Sequence, residues 1–258
     1  MAKPKVKIAL KNISKSFGKK TVLDKLSLDI MEGDSLVIMG GSGTGKSVLL
    51  KCILGLVKAD HGSIKLNGDE CFNLRGKSYE KFLTHFSMLF QGSALFDSIT
   101  VWENVVFGLR QTKQMTNAEA QEIAIETIGS VGLNKEVAFS YPAELSGGMQ
   151  RRVAIARAIV TKPEIIFFDE PTAGLDPIIS NVINEMIVDC SKKLGATSVT
   201  ITHDINSARK IAKNVAMIHG GKIIWAGPIE QMDKSGNDYV EQFIHGQTKG
   251  PIELQIKG

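Results

Sequence analysis

The sequence predicts an α/β fold that opens with an antiparallel β subdomain and carries an α-helical subdomain in its middle. Three observations carry this. Near the start, two segments alternate apolar and polar residues, the mark of half-buried antiparallel strands. Later, the nearly all-apolar runs Ile165–Phe168 and Ser198–Thr202 alternate with helical patterns, as parallel strands covered on both faces do. Between these regions, from about residue 92 to 160, the apolar spacing is helical.

Residues 6–13 and 22–30 form the two alternating strands, with Val22, Leu26, Leu28 and Ile30 apolar in the second and a turn at Phe17-Gly18-Lys19-Lys20. Ser35–Met39 is a short apolar strand. A glycine-rich loop follows it, then a helix over Val48–Leu56. Ile64–Leu66 is a strand closed by the turn pair Asn67-Gly68. Met88–Phe90 reads as a brief buried strand. The helical stretch holds Val101–Arg110, Asn117–Val131 (Ile123, Thr127, Ile128 and Val131 on one face) and Gly148–Val160. Helix Ile178–Leu194 separates the two apolar strands. Ala208–Lys213 is helical, and Val215–Ile218 with Lys222–Trp225 makes a hairpin around Gly220-Gly221. A last helix, Tyr239–Ile244, has an apolar face of Tyr239, Val240, Phe243 and Ile244, and residues 246–258 are irregular. The expected organisation is one domain over 1–227, with a core at about 1–91 and 161–227 and a helical subdomain at about 92–160. A C-terminal extension, 228–258, packs on its own domain or on a second subunit.

Composition limits the function. Of 258 residues, 43% are hydrophobic, 22% charged and 6% aromatic, which excludes wholesale disorder and collagen-like structure. A chain of this size buries enough surface to need no disulfide or metal staple. The net charge of +4 is a thin surplus of 31 Lys+Arg over 27 Asp+Glu. The signs are interspersed, so no nucleic-acid partner is expected. The basic start (Lys3, Lys5, Lys7, Lys11) is expected to be a solvated edge. Cys52, Cys71 and Cys190 are odd in number and fit no zinc spacing, so they are expected to be reduced thiols of a cytoplasmic protein. No signal-peptide core follows Met1, and no apolar run approaches the roughly 20 residues of a membrane helix. A membrane role would therefore come through a partner chain.

Gly40-Gly41-Ser42-Gly43-Thr44-Gly45-Lys46-Ser47 fits the phosphate-loop pattern G-x-x-x-x-G-K-[ST], with a strand leading in and a helix leading out. Glycines let backbone N–H groups close around phosphate oxygens, and the helix N-terminus adds its positive dipole end. Lys46 is expected to reach the β- and γ-phosphates and Ser47 to hold Mg²⁺. Ile165–Phe168 ends in Asp169 and Glu170, which puts two carboxylates at the carboxyl end of a buried strand, where open α/β sheets bind ligands. Asp169 would hold the metal, directly or through water, and Glu170 would polarise an attacking water. Together these motifs describe a P-loop nucleotidase.

Leu145-Ser146-Gly147-Gly148-Met149-Gln150 resembles the signature motif of the ATP-binding-cassette (ABC) ATPases, and further motifs follow in that family's order. Gln91 stands at the Q-loop, Ala173-Gly174-Leu175-Asp176 at the D-loop, and His203 at the switch histidine. Phe17 stands where the family stacks an aromatic on adenine; it lacks the hydroxyl of the usual Tyr, which stacking does not require. The resemblance covers about residues 6–230. It implies a RecA-like P-loop core and ATP and Mg²⁺ as cofactors. It places Ser47, Gln91 and Asp169 at the metal, and Ser146, Gly147, Gly148 and Asp176 at the nucleotide. Glu170 would orient or deprotonate water, with His203 and Gln91 sensing the γ-phosphate beside Lys46. Because the family's signature motif meets the γ-phosphate of the opposite subunit, one motif set per chain implies a homodimer with two ATP in its interface.

The stretch between Lys46 and Asp169 shows no sustained heptads, unlike the repair members, and there is one cassette, unlike most translation-type members. A subunit docking on a separate integral-membrane permease, at the cytoplasmic face of the inner membrane, is the expected class. Residues 86–105, with Leu95, Phe96, Ile99 and Val101, lie where the family receives the permease's coupling helix; the same side chains would also suit ordinary core. This stretch, Met149 and the tail 243–252 resemble the phospholipid-transport (Mla and Mce-associated) branch, which implies an Mce-type lipid-binding partner. An importer ATPase for a polar solute and a soluble non-transport ATPase are the alternatives.

Overall fold

A computed structural model describes residues 5–252. Lys3 and residues 253–258 lie outside the described residues. The chain forms two compact units, one from the residues up to Phe82 together with those from Val199 onward, the other Leu83–Ser198.

In the first unit, β1 (Val6–Phe17) pairs antiparallel with β2 (Lys20–Met31) across the turn at Gly18-Lys19. Its other edge pairs with β4 (His61–Leu66), which turns back into β5 (Asp69–Glu70), so the sheet order is β2-β1-β4-β5. Asn67 and Gly68 both have positive φ (53° and 94°), as a tight hairpin turn of matching twist requires. Leu23, Leu26, Leu28 and Ile30 of β2 are buried, but Val22 is not. The strict alternation predicted through Val22 breaks because Lys25 adopts φ 48° and the pairing slips between Ile13 and Lys15. Such a bulge moves the residues before it to the opposite face. Lys7 is no solvated residue either. It is 5% exposed and pairs with Glu32 at 3.4 Å; Lys5 and Lys7 together hold that carboxyl below its ordinary range.

The same unit holds β3 (Ser35–Met39), parallel to β9 (Asn214–His219), which turns at Gly220-Gly221 into antiparallel β10 (Lys222–Pro228). Helix α1 (Lys46–Ile53) starts two residues earlier than the apolar pattern indicated, directly on the glycine loop. Helix α2 (Gly76–Leu83) was not expected, although Tyr79, Phe82 and Leu83 fall at helical spacing; it is short and opens on a glycine, which masks the pattern. Strand β8 (Thr197–Thr202) is buried throughout, and α7 (Ile205–Ile211) follows it, capped by the Asp204 carboxylate.

In the second unit, β6 (Phe86–Leu89) runs parallel to the fully buried β7 (Ile165–Asp169), with the rings of Phe86 and Phe167 5.7 Å apart. Helices α3 (Val101–Thr112), α4 (Asn117–Ser130) and α5 (Gly147–Ile159) pack on one another, and α6 (Pro177–Leu194) packs on α5. The strands β6 and β7 and helix α6 thus cluster with the three helices, so the compact unit is wider than the helical pattern at 92–160. On α4 the buried stripe is Ala120, Ala124 and Ile128, continued by Val131. The expected Ile123 and Thr127 are half-buried, beside that stripe rather than on it.

The segment after Pro228 packs on its own chain. Asp233 takes a two-pronged pair from Arg209 of α7, and Asn237 donates to the carbonyl of Ile224 on β10 while its side chain caps α8 (Asp238–Ile244). Val240 is buried as expected, but Gln242, left off the apolar face, is also buried at 4% exposure. Its amide donates to the carbonyls of Gln247 and Ile252 and accepts from Ile252 N–H at 2.6 Å, folding the last described residues onto α8. Gln242→Ala should free this bracket: hydrogen exchange at the Ile252 amide should accelerate while the β-strand amides keep their protection.

Candidate functional site

The phosphate loop is held between two backbones. A Cβ on Gly40 would lie 2.4 Å from the carbonyl oxygen of Ile218, and one on Gly45, at φ 105°, 2.9 Å from that of Val22. No other residue fits either position without moving a strand. Between them the Thr44 hydroxyl donates to the Gly41 carbonyl at 2.9 Å and shapes the bend. Lys46 is buried, and its ammonium donates to the carbonyls of Gly40 (2.7 Å) and Gly41 (2.9 Å). The loop thus gathers a cation and its backbone at the N-terminus of α1, an arrangement that suits a polyphosphate.

An open cleft of about 370 Å³ joins Phe17, Lys20 and Val22 of the first hairpin to Gly43, Gly45, Lys46, Ser47 and Val48. The structure thus brings Phe17 to the phosphate loop, as the sequence indicated. Its ring is half exposed, with the Lys15 ammonium 5.2 Å from the centroid. His203 follows the end of β8 in this unit and is exposed.

The remaining expected residues belong to the second unit. Asp169 ends β7 and is 8% exposed. Glu170 follows in the left-handed region at φ 47°, a conformation that costs a non-glycine residue about 1–3 kcal/mol and gathers at working sites. Gln91 follows β6 and is exposed; Ser93 (φ 68°) and Ala94 (φ 46°) share the same strained region just after it. Ser146 caps α5 by accepting from Met149 N–H at 3.3 Å. Gly147 and Gly148 open that helix, and a Cβ on Gly148 would meet Ile179 of α6 at 2.9 Å. Asp176 caps α6, its Oδ1 accepting from Ile178 and Ile179 N–H.

Sequence reasoning missed the arginines that hold these loops. Arg151, buried at 4% exposure, donates to the carbonyls of Phe90, next to Gln91, and Ala173, at the start of the segment ending in Asp176. Arg157 donates to the carbonyls of Ser93 (2.7 Å) and Ala94 (2.8 Å), fixing the two strained residues. Burial pulls both guanidinium pKa values down from the ordinary arginine range. A signal was available: Arg151 falls in helical register with the buried Ala154, Ile155 and Ala158.

Beyond this loop, Asn104 is fully buried. Its oxygen accepts from Phe96 N–H at 2.8 Å, and its amide donates to the carbonyls of Phe96, Ile99 and Thr100. The segment it holds presents Phe96, whose ring packs 4.6 Å from that of Phe107 on α3. Phe90, Phe96 and Phe107 are each more than two-fifths exposed, while Leu95 and Ile99 are half-buried. Val101, expected with them on the groove, is completely buried and belongs to the core, because it starts α3 on the inward face.

The ABC transporter family profile matches residues 23–173. The probable ribonucleotide transport ATP-binding protein mkl of Mycobacterium leprae is 37% identical over 249 residues, covering 96% of this chain and 72% of that protein. The intermembrane phospholipid transport system ATP-binding protein MlaF of Haemophilus influenzae is 36% identical over 248 residues, covering 96% and 94%. Among solved structures, a dimeric post-hydrolysis state of the ATP-binding cassette MJ0796 bound to ADP and Pi matches with a TM-score of 0.79 at 31% identity, over 86% of this chain and 98% of that one.

Asn104→Ala would strand the Phe96 N–H and the Ile99 carbonyl, while the Phe96 and Thr100 carbonyls keep backbone donors. It should cost about 2–3 kcal/mol, read as a lower denaturant midpoint with an unchanged slope.

Proposed function

The chain belongs to the ABC transporter family, and from that premise we propose that it is the ATP-hydrolysing subunit of a phospholipid transporter, docked on a separate membrane permease. The chain is an ATPase of the cassette type, and its substrate is ATP. The lipid reading is carried by the match to the Haemophilus protein, which runs nearly end to end in both chains. A second reading, ribonucleotide transport, has the name of the mycobacterial relative in its favour, and the present chain spans 72% of that protein.

Phe17 takes the base in this proposal, and residues 40–47 wrap the phosphates. The Lys46 ammonium exchanges the carbonyls of Gly40 and Gly41 for β- and γ-phosphate oxygens. Ser47, Gln91 and Asp169 supply a hydroxyl, an amide oxygen and one carboxylate. These are the sparse, hard donors that suit Mg²⁺, which also takes phosphate oxygens and water. The ion, when bound, offsets charge on the phosphates. Glu170 orients or deprotonates the attacking water, held by a strained backbone that fixes where its carboxylate points. His203 and Gln91 report the presence of the γ-phosphate.

Ser146, Gly147 and Gly148 offer the N-terminus of α5 to the γ-phosphate bound by a second copy, and Asp176 lies on the same interface. Two ATP molecules then hold a two-fold dimer closed, and hydrolysis opens it. The division into a core (about 1–91 and 161–227), a helical subdomain (about 92–160) and an extension from 228 fits this cycle, with the helical part carrying the signature motif. Among the described residues no helix is long and apolar enough to cross a membrane. The exposed aromatic pair of Phe96 and Phe107 is the surface that suits a helix of the permease. An Mce-type lipid-binding protein completes the assembly.

Two outcomes are expected. Glu170→Gln should bind ATP as the parent does, lose turnover by at least ~100-fold, and elute as a dimer when ATP is present; sustained steady-state hydrolysis would contradict its role. Tagged chain purified from solubilised membranes of its host should bring a permease and bound phospholipid, and Phe96→Asp should lose both. Recovery of a permease carrying a nucleotide or another polar solute would keep the motor and replace the cargo.

A further inference from the structure

Phe17 stands at a poor place for a binding platform. It ends β1 at a two-residue turn, its ring is half exposed, and the ring contact the structure gives it is the ammonium of Lys15. A hairpin tip of this kind moves readily unless something pins it. The pin comes from the chain that leaves the phosphate-loop helix. After α1 ends, residues 54–60 run back to β1, and Asp60 grips that strand three times. Its N–H donates to the carbonyl of Ser14 at 2.8 Å. Its carboxylate accepts from Ser16 N–H at 2.7 Å and from the Lys15 ammonium at 2.8 Å. Lys15 is only 14% exposed, so its stem is packed and its cation is fixed. The Lys15 hydrogen bond, ahead of the one from Ser16, holds the Asp60 carboxyl below its usual range.

We propose that Asp60 and Lys15 are positioning residues for nucleotide binding, Asp60 clamping Lys15 over one face of the Phe17 ring so that the other face is presented to the base. The proposal rests on reading Phe17 as the base platform. A cation attracted to one face of an aromatic ring occupies that face and restrains the ring's rotation. A base stacked on the remaining face then needs less ordering of the ring on binding. The arrangement also joins the two ends of the nucleotide subsite. The segment carrying Asp60 starts from the helix that opens on the phosphate loop, so base platform and phosphate cradle are set by one continuous stretch of chain.

The test is steady-state ATP hydrolysis by the full chain, with KM and kcat separated and thermal midpoints recorded for each variant. Lys15→Met keeps the stem and removes the cation; it should raise the KM for ATP by roughly three- to tenfold and leave kcat within about twofold. Asp60→Asn should do the same. Lys15→Arg, which can still pair with Asp60 and lie over the ring, should restore the parent KM. In a Phe17→Ala background, Lys15→Met should add nothing. A parent-like KM for Lys15→Met beside a raised KM for Phe17→Ala overturns the positioning role and spares the platform. Fully additive effects of the two changes also overturn it. An unchanged KM for Phe17→Ala overturns the platform itself, and the positioning role with it. If Asp60→Asn melts below the assay temperature, Lys15→Met decides, because it leaves the Asp60–Ser16 bond intact.

Discussion

The carbonyl oxygen of Ile218 leaves no space for a side chain at residue 40, and that of Val22 leaves none at residue 45. The phosphate loop is thus wedged between β9 and β2, and its path is dictated by backbone rather than by side-chain choice. Everything else in the first unit takes its position from that wedge. Helix α1 begins where the loop ends, so its N-terminus adjoins the loop whose first carbonyls hold the Lys46 ammonium. The hairpin that supplies Val22 also supplies Phe17, which is why an aromatic from the first strand lies on the same cleft as the glycine loop.

The second unit solves a different problem. The segments that carry its candidate site residues follow strand ends or precede helices, and several lack regular hydrogen-bonded structure of their own. Carbonyls in such segments need donors. Arg151 and Arg157, both from α5, supply them to Phe90, Ser93, Ala94 and Ala173. A guanidinium suits this because its several N–H groups lie in one plane and reach two carbonyls at once. The cost is burial of charge, visible in the depressed pKa values of both. The return is that the helix bearing Ser146, Gly147 and Gly148 is bolted to the loop bearing Gln91 and to the turn before Asp176.

Much of this was legible in the sequence, and the reasons are physical. The glycine loop, the acids after a run of apolar residues and the Ser-Gly-Gly opening of a helix are local features whose spacing reflects their geometry. The turns at Asn67-Gly68 and Gly220-Gly221 were readable for the same cause. What failed was whatever depends on a partner far along the chain. Val22 lost its place to Leu23 because a bulge at Lys25 interrupts the period, and nothing local announces a bulge at lysine. Lys7 looked solvated, but its ammonium reaches Glu32 from a buried stem. Gln242 looked like the polar side of a short helix, yet the tail that returns over it supplies carbonyls and an N–H that only the folded chain reveals. Val101 was counted with an exposed groove because sequence does not separate apolar residues that face a partner from those that face the core.

The aromatic pair of Phe96 and Phe107 has a consequence for the life of the protein in a cell. Asn104 ties the backbone of Phe96 to α3, which restrains the segment that carries this exposed ring. On the proposed reading, in which a permease helix covers these rings, a copy made in excess of the permease would keep apolar rings in water and be the copy that holding chaperones and proteases meet. Stoichiometry would then be written into the surface: the subunit would persist in proportion to the permease that covers it, whatever the rate at which it is synthesised.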